Sequence, residues 1–171
     1  MERERHLLEI ASRDALTGLY NRLAGARMLE SLVAETQAAG QAFSVILADL
    51  DHFKHINDSR GHQAGDDALV TVGAILQAGI RGGDLAIRWG GEEFLVLAPG
   101  CGIAQAMELA ERLRAGVARA EIPASGPVTV SLGVAQLAAG EAVAELLQRA
   151  DEAMYRAKSG GRKRVEAAAP A

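Results

Sequence analysis

The sequence predicts an α/β domain in which helices pack on a mixed, partly antiparallel sheet. Three observations carry that expectation. Phe43–Leu50 (FSVILADL) is a near-continuous apolar run of strand length, the pattern of a strand buried on both faces. Helical and strand patterns alternate along the chain, which layers helices on a sheet. One close pair of strand patterns, Leu85–Trp89 and Phe94–Ala98, interrupts the alternation and brings an antiparallel hairpin into the sheet.

The elements follow in order. Met1–Arg13 (MERERHLLEIASR) has a charged helical pattern too short to hold alone, and reads as a linker or signalling-helix stub. The domain proper spans residues 14–166. Asn21–Ala39 is rich in helix formers and stops at Gly40. Ala64–Ala78 places Ala68, Leu69, Val72 and Leu76 on one helical face. Gly90-Gly91 fits a two-residue hairpin turn that needs positive φ. Ile103–Ala118 is helical, and Val128–Leu137 (VTVSLGVAQL) is a strand. Ala142–Lys158 is the last long helix, closed by Gly160-Gly161. The tail after Val165 (EAAAPA), with 167–171 beyond the domain, is expected to be disordered.

Composition narrows the function. The 171 residues are 49% hydrophobic and 23% charged, enough for one core and without sign of a second domain. A net charge of −4 argues against a general nucleic-acid or membrane-surface binder. An anionic ligand would then need locally gathered positive charge, or metal. The single cysteine, Cys101, excludes an internal disulfide and a cysteine-based zinc cluster. No apolar run reaches the roughly 18 residues that span a bilayer, and no signal peptide opens the chain. The expectation is a soluble, cytoplasmic domain without membrane contact.

Asp49 ends the buried strand inside DLDHFKHIND, where a carboxylate is costly unless paired or bound to a cation. Glu92 lies at the lip of the hairpin turn. If the hairpin pairs beside Phe43–Leu50, both acids reach one point, a donor set that suits a hard divalent cation. The alternative is an Asp capping the next helix and a Glu solvated in a loop. Asp51, directly before HFKHIND, fits the capping role better than Asp49. Spacing alone does not decide between the two.

Five stretches in order resemble the GGDEF family of diguanylate cyclases: DALTGLYNR (Asp14–Arg22), DLDHFKHINDSRGHQAGDDAL (Asp49–Leu69), RWGGEEF (Arg88–Phe94), VSLGVA (Val130–Ala135) and ADEAMYRAKSGGR (Ala150–Arg162). The resemblance covers nearly the whole chain after Arg13. It implies a palm-like nucleotidyl cyclase fold with a five-stranded central mixed sheet wrapped by helices. It also implies condensation of two GTP into cyclic di-GMP with release of two pyrophosphates. Each domain would hold one GTP, and a homodimer would let each 3′-hydroxyl attack the other's α-phosphate. On this resemblance Asp49, the Leu50 carbonyl and Glu92 would bind Mg²⁺, with Mn²⁺ as the alternative cation. Glu92 would also be the base for the 3′-hydroxyl, with Glu93 supporting the metal site. Asn57, His62 and Asp66 match guanine- and ribose-binding positions; an Asp can accept from both guanine N1–H and the exocyclic amine. Lys54 would stabilise charge on the phosphates, and Lys158 and Arg162 would hold the β- and γ-phosphates. Lys163 stands where family members often carry Asn.

RGGD (Arg81–Asp84) has the spacing of the family's RxxD product-inhibition motif, and Arg112 matches a third position of that site. Read without the resemblance, Arg81 and Asp84 are a polar turn around Gly82-Gly83. Two rival readings stand beside the cyclase: a non-catalytic cyclic di-GMP sensor, and a cyclase with another cyclic product. The intact acids weigh against the sensor. Nothing in the chain names an input signal, and the N-terminal stub is compatible with an upstream sensory domain.

Overall fold

The apolar run at Phe43–Leu50 forms strand β1, and every one of its residues is buried. The structure, a computed structural model, describes residues 11–171. The helix expected over Met1–Arg13 falls mostly on residues outside the described ones; Arg13 forms a single antiparallel bridge to Tyr20. Helix α1 (Arg22–Ala39) precedes β1, and α2 (Phe53–Arg60) and α3 (His62–Gly79) follow it. Next come β2 (Leu85–Arg88), β3 (Glu93–Pro99), α4 (Ile103–Arg119), β4 (Val130–Gln136), α5 (Val143–Ser159) and β5 (Val165–Ala167).

The strands make one open five-stranded sheet in the order β2-β3-β1-β4-β5. β1 is antiparallel to both β3 and β4, while β5 runs parallel to β4. The mixed sheet wrapped by helices is the predicted architecture.

Alternation along β1 explains why its whole run is apolar. Ile46, Ala48 and Leu50 join the core under α3 and α4, with Leu69, Val72, Leu109 and Leu113. Phe43, Val45 and Leu47 point the other way and join the core under α1 and α5, with Leu29, Leu146 and Met154. Each large side chain fully buried here contributes about 1.5–3 kcal/mol relative to exposure.

Two expectations are corrected. Residues of the tail are not disordered: Val165–Ala167 pair with Leu132–Val134, and the Ala168 N–H donates to the Val134 carbonyl at 2.7 Å. The hairpin turn is not a two-residue turn with positive φ. Trp89 and Gly90 N–H groups both donate to the Glu93 carbonyl, leaving a three-residue loop, and neither glycine adopts positive φ.

Candidate active site

Asp49 shares the parity of Val45 and Leu47, so it leaves the end of β1 on the α5 side. There Lys158, in the last turn of α5, donates to Asp49 Oδ1 at 2.7 Å. Across the sheet Asp49 is in register with Glu93, and the Leu50 N–H donates to the Glu92 carbonyl at 3.1 Å. The hairpin thus brings its two neighbouring acids, Glu92 and Glu93, to the strand end. Burial pushes the Asp49 carboxyl above its usual range; the Lys158 hydrogen bond and charge oppose this, and Asp51 and Asp151 add repulsion. Glu92 and Glu93 are also raised, by burial first and then by the charge of Asp49.

This donor set fits a hard divalent cation. Asp49, Glu92 and the Leu50 carbonyl supply oxygens and leave positions for water and phosphate. A cation would favour the charged forms that burial and mutual repulsion now disfavour. Among the described residues no three His, Cys, Asp or Glu side chains form a metal-holding group on their own. The carbonyl and non-protein ligands would therefore complete the set.

Asp51 does not cap α2. His52 takes the N-cap position with φ 56, and no side chain caps the helix. Asp51, only 3% exposed, instead turns toward β4. Its Oδ1 accepts from Ser131 Oγ at 2.6 Å, and its Oδ2 from Thr129 Oγ1 at 2.7 Å and the Lys163 N–H at 3.1 Å. Arg162 and Lys163 are consecutive non-glycine residues with φ 64 and 48. Left-handed backbone costs such residues on the order of 1–2 kcal/mol each. The Arg162 side chain is exposed beside the end of α5.

The proposed base-binding residues sit on the α2–α3 pair. Asn57 Oδ1 is buried without a hydrogen-bond partner and lies so close to Gly65 that a β-carbon there would collide with it. Asp66, the next residue along α3, is half-buried. An orphaned buried acceptor beside a carboxylate suits a ligand edge that carries donors. Lys54, in the first turn of α2, and His62, the first residue of α3, are both exposed.

The hairpin is held from behind by residues to which the sequence reading assigned no role. Arg88 Nη1 pairs with both Asp14 carboxylate oxygens at 3.2 Å, and its Nη2 donates to the Gly91 carbonyl at 2.8 Å. Arg22 donates to the Trp89 carbonyl at 3.2 Å and stacks over the Trp89 ring. The signal for Arg88 and Asp14 was their presence in the quoted blocks. For Asp51 it was a second acid directly after an apolar strand.

At the other end of β2, Arg81 and Asp84 close a turn on themselves. The Asp84 N–H donates to the Arg81 carbonyl at 3.0 Å, and the Asp84 carboxylate accepts from the Arg81 backbone and guanidinium. The Asp84 side chain is 1% exposed, whereas that of Arg81 is 53% exposed. Arg112 Nη2 donates to the Gly79 carbonyl at 2.9 Å, which brings it beside the same turn.

An open mixed α/β sheet with an acidic hairpin turn at one strand end, flanked by a basic loop, is the class of domain defined here. A family profile described as diguanylate cyclase, GGDEF domain, matches residues 11–164. The chain belongs to this GGDEF family. It is 44% identical over 165 residues to diguanylate cyclase DgcM of Escherichia coli, covering 96% of this chain and 40% of that protein. It is 41% identical to response regulator PleD of Caulobacter vibrioides, covering 94% of this chain and 37% of PleD. The chain therefore spans well under half the length of these relatives. Among solved structures, the coiled coil and GGDEF domain of DgcB from Caulobacter crescentus in complex with c-di-GMP superposes with a TM-score of 0.92 at 33% identity, covering 98% of this chain and 91% of that one. The active GGEEF domain of a diguanylate cyclase from Vibrio cholerae gives 0.85 at 30% identity, covering 90% and 99%.

Proposed function

We propose that this domain condenses two GTP into cyclic di-GMP with release of two pyrophosphates. The observation that carries the reading is the end of β1, where Asp49 pairs with Lys158 and stands in register with Glu93 beside Glu92. A bound Mg²⁺, or Mn²⁺, held by Asp49, Glu92 and the Leu50 carbonyl would neutralise phosphate charge and lower the pKa of a coordinated hydroxyl. Asn57, His62 and Asp66 bind the guanine and ribose, with Asp66 accepting from the donors of the guanine edge. Lys158 leaves Asp49 for the β- and γ-phosphates, which Arg162 also holds, and Lys54 offsets charge building during transfer. Glu92 takes the proton of the 3′-hydroxyl. Because two GTP must meet, the working unit is a homodimer. No helix among the described residues is long and apolar enough to cross a membrane, and a cytoplasmic site, where GTP is available, belongs to the same reading.

The test is incubation with GTP, with and without Mg²⁺ or Mn²⁺, and identification of the product by mass. Glu92→Gln should slow turnover on the order of 10²–10⁴-fold. Near-normal turnover would remove Glu92 from the mechanism, and a different or absent product would favour one of the rival readings.

Regulation by product is the second part of the proposal. Arg81, Asp84 and Arg112 gather beside one turn, and DgcB is known in complex with c-di-GMP. Arg81→Ala should raise the inhibition constant about tenfold or more, the worth of a charge-assisted hydrogen bond, while the initial rate stays unchanged. Equal inhibition of both proteins would leave RGGD a turn and nothing more.

A further inference from the structure

We propose that Asp51 is a positioning residue for the phosphate-binding loop: by accepting the Lys163 N–H it holds the left-handed Arg162–Lys163 pair, and so sets where Arg162 starts. The inference rests on the reading of Lys158 and Arg162 as triphosphate ligands. A carboxylate this deeply buried needs partners. Thr129 and Ser131 would already serve one tied only to β4; the third bond crosses to the loop after α5.

That loop is fastened at three successive residues. The Arg162 N–H donates to the Ala157 carbonyl at 2.9 Å, the Lys163 N–H to Asp51, and the Arg164 carbonyl accepts from the Leu132 N–H at 3.0 Å. Of these three ties, only the middle one is made by a side chain. It falls on Lys163, where the backbone is left-handed and a β-carbon is crowded by its own chain. Glycine and asparagine tolerate that conformation; lysine does so poorly. Without the anchor, the pair would relax toward ordinary φ and shift the point from which the Arg162 side chain reaches out.

GTP and GMP are titrated separately into the purified domain in the presence of Mg²⁺. The parent should prefer GTP, and Asp51→Ala should cut that preference about tenfold while GMP affinity holds. In a Lys163→Asn background the same substitution should cost less, because Asn takes the left-handed backbone unaided; this coupling would be absent if Asp51 only stabilised β4. Should Asp51→Ala not fold, hydrogen exchange of the unmodified domain decides instead. Hydrogen exchange of the unmodified domain adds an independent reading: the Lys163 amide should be protected like the amides of β4. An unchanged GTP preference in a folded variant, equal loss of GTP and GMP, or a fast-exchanging Lys163 amide would each overturn the proposal. A parent domain that binds GTP no better than GMP would instead overturn the reading of the loop as a phosphate site.

Discussion

Asp49 and Glu93 face one another across β1 and β3, and the charge of Asp49 makes ionisation of Glu93 harder. Burial is the larger cause of the raised Glu93 carboxyl, and Asp49 the next. A carboxyl raised in the folded state holds its proton longer than in the unfolded chain. Its stabilising contribution is present below the unfolded value, about 4.3 for Glu, and is lost as pH rises through the folded one. Glu93→Gln should therefore raise the melting temperature of the ligand-free domain at pH 7, with the gain vanishing below about pH 4.3. Equal melting temperatures at pH 7 would show that the acid is not strained there. At this scale Asp49 was legible, because a carboxylate ending an apolar strand asks for a partner. Asp51 was misread. Its place before a helix suggests a cap, but the groups that claim it lie 78 to 112 residues further along the chain.

Strand β4 and helix α5 approach so closely that only glycine fits at the crossing. A β-carbon on Gly133 would strike the Ala150 carbonyl and the Met154 amide, both backbone. α5 cannot retreat, because Leu146, Ala150, Met154 and Ala157 are already packed beneath it. Gly133→Ala should destabilise the domain by about 3 kcal/mol, the upper range for overpacking, read from the denaturant midpoint. A shift under about 0.5 kcal/mol, as at an ordinary surface position, would mean that the helix slides freely on the sheet. The strand was predicted from VTVSLGVAQL, but nothing local marks which glycine carries a helix. The tail shows the same division. Its alanines looked disordered alone, yet the free edge of β4 supplies partners, and Arg156 donates to the Ala167 carbonyl at 2.8 Å. The hairpin likewise takes its form from remote contacts, with Arg88 holding Gly91 while it pairs with Asp14, 74 residues from Arg88.

One molecule of this domain offers one acidic strand end and one basic loop, whereas the proposed product joins two nucleotides. Turnover per protein should therefore rise with protein concentration and level off once dimers form. A specific activity that stays constant on dilution, with a monomeric mass throughout, would mean that a single domain suffices. What the sequence determined by itself was periodic or ordered: the apolar run of β1, the helical faces, and five motif blocks in sequence. Such patterns record local burial and backbone preference, so they survive without coordinates. Tertiary structure decided which groups share a partner. It gave Lys158 to Asp49, Lys163 to Asp51, Arg81 to Asp84, and left the Asn57 oxygen without one. Hydrogen bonds and charges act over a few ångströms of space, and here the chain brings together residues up to 112 positions apart.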